Sequence, residues 1–354
     1  MQGMPSMSLS NVRTSPTVSA SPVAPPQPTG QVKATAFSQP GPPSLTRRGL
    51  LAGLAAATAA VAGRHATAAE PLAHSLSPRF RLGLAAYGFR KFFPWMKGKP
   101  QQPVDESRSL TIKTFLNYAA DLRCDGAELT AYFFDPATTS TDLLELRRQA
   151  LVSGLTISGT AVGNRFTRPA GPELDAEIAD VKRWIDHTAL LGSSHLRVFA
   201  GTPTKHLSED EAFRQCAESL EICCDYAAAK GVMLGLENHG GIVATADGLL
   251  KLLAAVQSPW LGVNLDTGNF RTADPYADLA RCAPHAVNVQ YKVEIQRSPT
   301  GPKEPADAKR VIEMLTDVGY RGFLTLEYEA AEDPFEAVPR HLAELREACG
   351  SLLV

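Results

Sequence analysis

The sequence predicts an α/β fold, a (β/α)8 TIM barrel, from three observations. Four short apolar runs in the second half, residues 232–237, 261–266, 286–290 and 322–327, end in oxygen-bearing side chains: Glu237, Asp266, Gln290 and Glu327. Runs of this length bounded by turn signals read as parallel strands buried on both faces, and the carboxyl ends of such strands form the functional face of an α/β fold. Strand-like and helix-like segments alternate eight times over about 285 residues, the usual size of such a barrel. No glycine-rich phosphate fingerprint follows the first strand, which argues against a doubly wound open sheet.

The elements follow in order. The first strand is Arg-Leu-Gly-Leu-Ala-Ala at 81–86, with an amphipathic helix at 109–122. Strand two at 126–129 leads to a helix at 141–152, and strand three at 155–161 to a long helix at 173–191. Strand four at 195–200 precedes a helix at 209–229. The four apolar runs supply strands five to eight, with helices near 246–256, 275–282, 305–318 and 334–349.

Residues 1–68 stand apart from the domain at 69–354. As far as about residue 44 the chain is Pro, Ser, Thr, Gln and Gly with almost no apolar periodicity, so disorder is expected. Arg47 and Arg48 then precede a small-residue apolar stretch at 52–63 and a small-x-small site at Ala66-Thr67-Ala68. That arrangement reads as a twin-arginine export signal, too short and too rich in Ala and Gly to be a stable membrane anchor. It implies passage of the folded protein through the twin-arginine translocase to the periplasm or beyond.

Charge narrows the partners. Of 35 basic residues, Arg13, Lys33, Arg47, Arg48 and Arg64 lie in the first 68, which hold no acid, so the domain carries 30 basic against 37 acidic residues. A domain about seven charges negative has no basic face for nucleic acid or an anionic membrane. The six cysteines show no zinc spacing and read as buried thiols, with one disulfide left open, as is oligomeric state.

Gly126-Ala127-Glu128-Leu129, Leu236-Glu237-Asn238, Leu265-Asp266-Thr267-Gly268-Asn269, Val289-Gln290-Tyr291-Lys292 and Gly319-Tyr320-Arg321-Gly322 leading to Leu326-Glu327 together resemble the xylose isomerase-like TIM-barrel superfamily. Within it the sequence is most similar to the sugar phosphate isomerase/epimerase proteins, over nearly all of the domain. The resemblance implies a divalent ion, Mn²⁺ or Mg²⁺, on Glu237, Asp266, Gln290 and Glu327. An all-oxygen set suits such hard cations. The family more often has His where Gln290 stands, and related epimerases can carry a histidine near the metal at the position of Asn269.

By the same resemblance Glu237 and Glu327 flank a sugar as the acid/base pair, and the ion polarises its carbonyl and stabilises the enediolate. His239, Lys292, Glu128, Arg197 and Asn269 are candidate substrate contacts. Four of them have a plainer reading: His239 as a helix-capping loop residue, Glu128 paired with Arg197, and Lys292 paired with Glu294 or Glu327. Tyr87, Phe89, Tyr132, Phe133, Asn164 and Phe166 follow the first three strands and either stack on a sugar or pack the rim.

The expected activity is isomerisation or epimerisation of a free or oxidised (keto) sugar outside the cytoplasm, since export disfavours a phosphorylated metabolite. A lyase or dehydratase of a keto-inositol or 3-keto-glycoside, and a periplasmic carbohydrate-binding protein with a degenerate metal site, are the alternatives. A DNA-repair endonuclease on this scaffold needs a histidine-rich multi-metal site and a basic face, and the sequence has neither.

Overall fold

The structure, a computed structural model, describes residues 70–72, 77–205 and 207–353; the expected disordered region, arginine pair and cleavage site lie outside the described residues. Eight parallel strands close into a barrel in chain order: β1 (Arg79–Ala85), β2 (Gly126–Thr130), β3 (Thr156–Ala161), β4 (His195–Val198), β5 (Met233–Glu237), β6 (Leu261–Asp266), β7 (Ala286–Tyr291) and β8 (Arg321–Leu326). β1 pairs with both β2 and β8, which removes the sheet edges. Each strand is followed by a helix: α1 (Ile112–Asp121), α2 (Ser140–Val152), α3 (Pro172–Leu190), α4 (Glu209–Ala228), α5 (Ala246–Ala255), α6 (Pro275–Cys282), α7 (Ala308–Asp317) and α8 (Pro334–Cys349). Among the described residues no helix is long and apolar enough to cross a membrane.

Local chemistry sets the boundaries. Thr111, Thr139 and Ser208 open α1, α2 and α4 with reciprocal capping boxes that satisfy otherwise orphaned N–H groups. Asp274, Asp307 and Asp333 cap α6, α7 and α8, with Pro275 and Pro334 in the first turn. α7 starts three residues later than expected, because Lys303–Pro305 pairs with Glu294–Gln296 as a small hairpin and Asp307 supplies the cap. β4 stops at Val198, two residues early, because the Asn164 amide takes both backbone groups of Phe199: its Oδ1 accepts from Phe199 N–H at 2.9 Å and its Nδ2 donates to Phe199 C=O at 2.7 Å.

The later strands are not apolar throughout. Leu234, Leu236, Val263, Leu265, Leu324 and Leu326 alternate with Gly235, Glu237, Asn264, Asp266, Thr325 and Glu327, all of them buried polar groups or glycine. A period of two sends the aliphatic set to the helices and the polar set to the barrel interior. Two register shifts align that interior. Pairing passes from Val263–Ala286 to Asn264–Asn288, so that Asp266 comes opposite Gln290. Between β2 and β3 it passes from Ala127–Ile157 to Glu128–Gly159.

The space beside Gly159 and Gly235 holds the His195 ring. A Cβ on Gly159 would lie 2.7 Å from Nδ1, and one on Gly235 would run into Nε2. Both ring nitrogens are buried without a hydrogen-bond partner among the described residues, and burial pulls the imidazole pKa down to about 3. Because the folded value lies below the unfolded one, the unfolded chain binds the proton first, and stability falls as pH drops below about 6.5. At pH 5 the histidine alone should cost about 2 kcal/mol relative to neutral pH. The Glu128 and Asp266 carboxyls, pushed up to about 7 mainly by burial, act in the opposite sense, so the test is the difference between two proteins. Denaturant titration at pH 7 and 5 should show His195→Asn less acid-sensitive than the parent by that amount; equal sensitivity would mean that His195 protonates freely in the fold.

All six cysteines are free and buried, so the disulfide left open by the sequence does not form. Burial raises every one of the six thiols.

Candidate active site

The carboxyl ends of β4 to β8 bring four carboxylates and two cations to one mouth. On one side the buried Arg197 guanidinium faces Glu237, with Nε 3.0 Å from Oε2, a charge contact without hydrogen-bond alignment. Arg197 Nη1 donates to Val162 C=O at 3.0 Å, and the guanidinium lies over the Phe199 ring, 3.9 Å from its centroid. The other Glu237 oxygen, Oε1, accepts from Asn269 Nδ2 at 2.9 Å. Burial raises the Glu237 carboxyl well above its ordinary value against the opposing pull of Arg197, and Asp266 and Glu327 add to the rise.

On the other side Lys292 Nζ lies 2.5 Å from Glu327 Oε2 and 3.4 Å from Asp266 Oδ2, and it also donates to Glu329 Oε2. Burial alone would pull this ammonium down, but Asp266, Glu327 and Glu329 hold its pKa well above the usual lysine value. Asp266 Oδ1 accepts from Gly268 N–H at 2.8 Å, while Oδ2 has no hydrogen bond. The backbone of Asp266 is fixed by Asn238, whose Oδ1 accepts its N–H and whose Nδ2 donates to its C=O, each at 2.9 Å.

Below the mouth a closed amide network fills the barrel. Gln290 Nε2 donates to Glu128 Oε1 at 2.6 Å, and Gln290 Oε1 accepts from Asn264 Nδ2 at 2.6 Å. Asn288 Nδ2 donates to Glu128 Oε2 at 3.0 Å and to Asn264 Oδ1 at 2.8 Å. Glu128 therefore takes its hydrogen bonds from β7 rather than from Arg197, the partner considered from sequence. Asn264 and Asn288 were not foreseen as members of the site. The signal for both was the period of two, which places them two residues before Asp266 and Gln290 on the same face.

Residues 116–348 match the xylose isomerase-like TIM barrel family, two thirds of the chain and seven of its eight strands. The chain belongs to that family. No curated protein shows significant sequence similarity to it. Among solved structures, the E. coli 3-keto-D-glucoside 4-epimerase is 17% identical, with a TM-score of 0.59 over 76% of this chain and 100% of that one. A D-psicose 3-epimerase solved in the presence of D-fructose is 15% identical, with a TM-score of 0.62 over 77% and 100%. The probable 3-DHS dehydratase of petrobactin synthesis from Bacillus anthracis is 17% identical, with a TM-score of 0.55 over 75% and 99%. At these identities the likeness is one of fold.

For a member of the xylose isomerase-like family, the quartet Glu237, Asp266, Gln290 and Glu327 is the place to test for a divalent ion, and the side chains as folded do not fit one. The Gln290 oxygen is taken by Asn264 and its nitrogen by Glu128, which makes Gln290 part of the interior network rather than a ligand. Both Glu237 oxygens are engaged by Arg197 and Asn269. Among the described residues no three His, Cys, Asp or Glu side chains gather around a point that could hold a metal. The position between Asp266 and Glu327 belongs to the Lys292 ammonium. A dication about 4 Å from that charge would meet on the order of 8 kcal/mol of repulsion at the effective dielectric of a protein surface.

The remaining candidates divide. Asn269 joins the site through Glu237, and Lys292 pairs with Glu327 and not with Glu294, which binds Lys303. His239 is exposed at the rim, its ring 4.3 Å from that of Phe199. Phe89 and Phe166 are fully buried, Asn164 is committed to Phe199, and Tyr87 packs against Tyr132 and Phe133, so these six serve mainly as rim packing. Glu329, absent from the sequence-based set, lies two residues beyond Glu327, and the same period of two points it at Lys292.

Proposed function

We propose that this protein is an isomerase or epimerase of a free or oxidised (keto) sugar, working by proton transfer at a carbon next to a carbonyl. The observation that carries the reading is the pairing at the mouth: Glu237 beside Arg197 at the end of β5, and Glu327 beside Lys292 just past β8. Two carboxylates on strands separated by β6 and β7 can address opposite faces of a flat intermediate, one removing a proton and the other returning one. Cations beside them provide what an enolate oxygen needs, a positive hydrogen-bond donor in a largely water-excluded site. Epimerases and a probable dehydratase among the structural neighbours support this class of chemistry. Elimination by a lyase or dehydratase shares the first step and differs in what leaves the enolate.

A substrate met outside the cytoplasm, as Arg47 and Arg48 imply, belongs to the same proposal and is tested by finding the mature chain in the periplasmic or secreted fraction. The test of function is a panel of ketoses, aldoses, keto-inositols and 3-keto-glycosides, followed by NMR. An inverted or relocated carbonyl-adjacent centre is expected for at least one class. Binding without conversion across the panel would favour a carbohydrate-binding protein instead.

A further inference from the structure

Lys292 is built into its position. Its stem crosses the turn after β6 at Gly268, where a Cβ would lie 2.7 Å from the lysine Cγ and 2.8 Å from its Cβ, so a side chain there would drive the lysine away. Its backbone N–H donates to Thr267 Oγ1 at 2.9 Å, which ties the end of β7 to the same turn. The ammonium is buried and makes hydrogen bonds to Glu327 and Glu329, while Asp266 Oδ2 lies at 3.4 Å without an aligned bond. Of its three N–H groups one thus remains uncommitted. A small pocket lined by Gly268, Asn269, Arg271, Lys303 and Glu329 opens onto it.

We propose that Lys292 is the resident cation of this site, filling the role that a divalent ion would have there, with its uncommitted N–H given to the substrate carbonyl oxygen. The inference rests on the proposed sugar chemistry. One carboxylate, Glu237 or Glu327, takes the proton from the carbon beside the carbonyl. The C–H electron pair becomes the C=C bond, and the carbonyl π pair moves to the oxygen, which accepts the Lys292 hydrogen bond. Return of a proton to the opposite face of that carbon inverts it; return to the former carbonyl carbon, with the hydroxyl on the first carbon giving its proton up and the old carbonyl oxygen taking one, relocates the carbonyl.

The test is Mn²⁺ titration of the full-length chain, freed of metal by chelation and followed by electron paramagnetic resonance, for the parent and for Lys292→Met. The parent should leave submillimolar Mn²⁺ free, with an unchanged melting temperature. In Lys292→Met the carboxylates of Asp266, Glu327 and Glu329, which as folded do not converge on a metal point, lose the ammonium that holds them and should close on Mn²⁺, taking up one ion and melting higher with it. A parent chain that binds one Mn²⁺ and gains stability from it would overturn the proposal, and this arm holds even if the variant fails to fold. A folded Lys292→Met that ignores Mn²⁺ would overturn it too, because those carboxylates would then not form a cation site. Since the readout is metal binding, it stands apart from the question of whether any sugar is converted.

Discussion

Glu327→Gln should slow turnover on the order of a hundredfold or more, the usual scale of acid/base catalysis. The substitution keeps the volume and one oxygen toward Lys292 but removes the capacity to carry a proton. Glu237→Gln should act comparably, since its amide still receives the Asn269 hydrogen bond. The loss belongs in kcat and kcat/KM together, because a proton carrier acts in the transition state and contributes little to ground-state binding. Steady-state kinetics on the substrate that the panel identifies, with circular dichroism to confirm folding, checks both. Parent-like turnover by either variant would remove that glutamate from the proton-transfer role.

The largest effect on stability is expected at Arg197. Arg197→Met keeps much of the apolar stem over Phe199 but leaves Glu237 buried without its cation and Val162 C=O without its donor. Breaking one side of a buried ion pair costs about 3–5 kcal/mol, which denaturant titration resolves easily. Burial and neighbouring carboxylates already raise Glu237, and without Arg197 its folded pKa rises further above the unfolded value. A raised folded pKa favours the folded state more as pH falls, so the deficit should shrink in mild acid. A loss below about 1 kcal/mol at neutral pH would show that the pair contributes little beyond packing.

Strand and helix order was legible because each element carries its own signal: aliphatic residues on the outer face, a Thr, Ser or Asp at most helix starts, and an oxygen-bearing side chain at the strand end. The carboxylates were found the same way, since Glu237 and Asp266 close their strands and Glu327 follows directly on β8. What the sequence could not disclose was pairing across the barrel. Gln290 reads as a strand-end ligand until closure places Glu128, 162 residues away in the chain, beneath its amide. The extra residue that brings Gln290 opposite Asp266 is a register shift with no local signature. Lys292 had two carboxylates within plausible reach by sequence spacing, and the competing bond from Lys303 to Glu294 decides between them. Thr267, Gly268 and Asn238 stood in the sequence only as neighbours of the strand-end carboxylates, yet they hold the Lys292 backbone, make room for its stem and clamp the Asp266 backbone.

The central claim is that a carbon-bound proton leaves the sugar for a carboxylate and is replaced from a group in contact with solvent. Its most direct measurement is the deuterium content, by mass spectrometry and NMR, of sugar recovered from D₂O with chelator present. The account predicts deuterium on the carbon beside the carbonyl, in the product and increasingly in the returned substrate. Conversion that kept the original hydrogen would contradict it, because the proton would then not have been replaced from a group in contact with solvent.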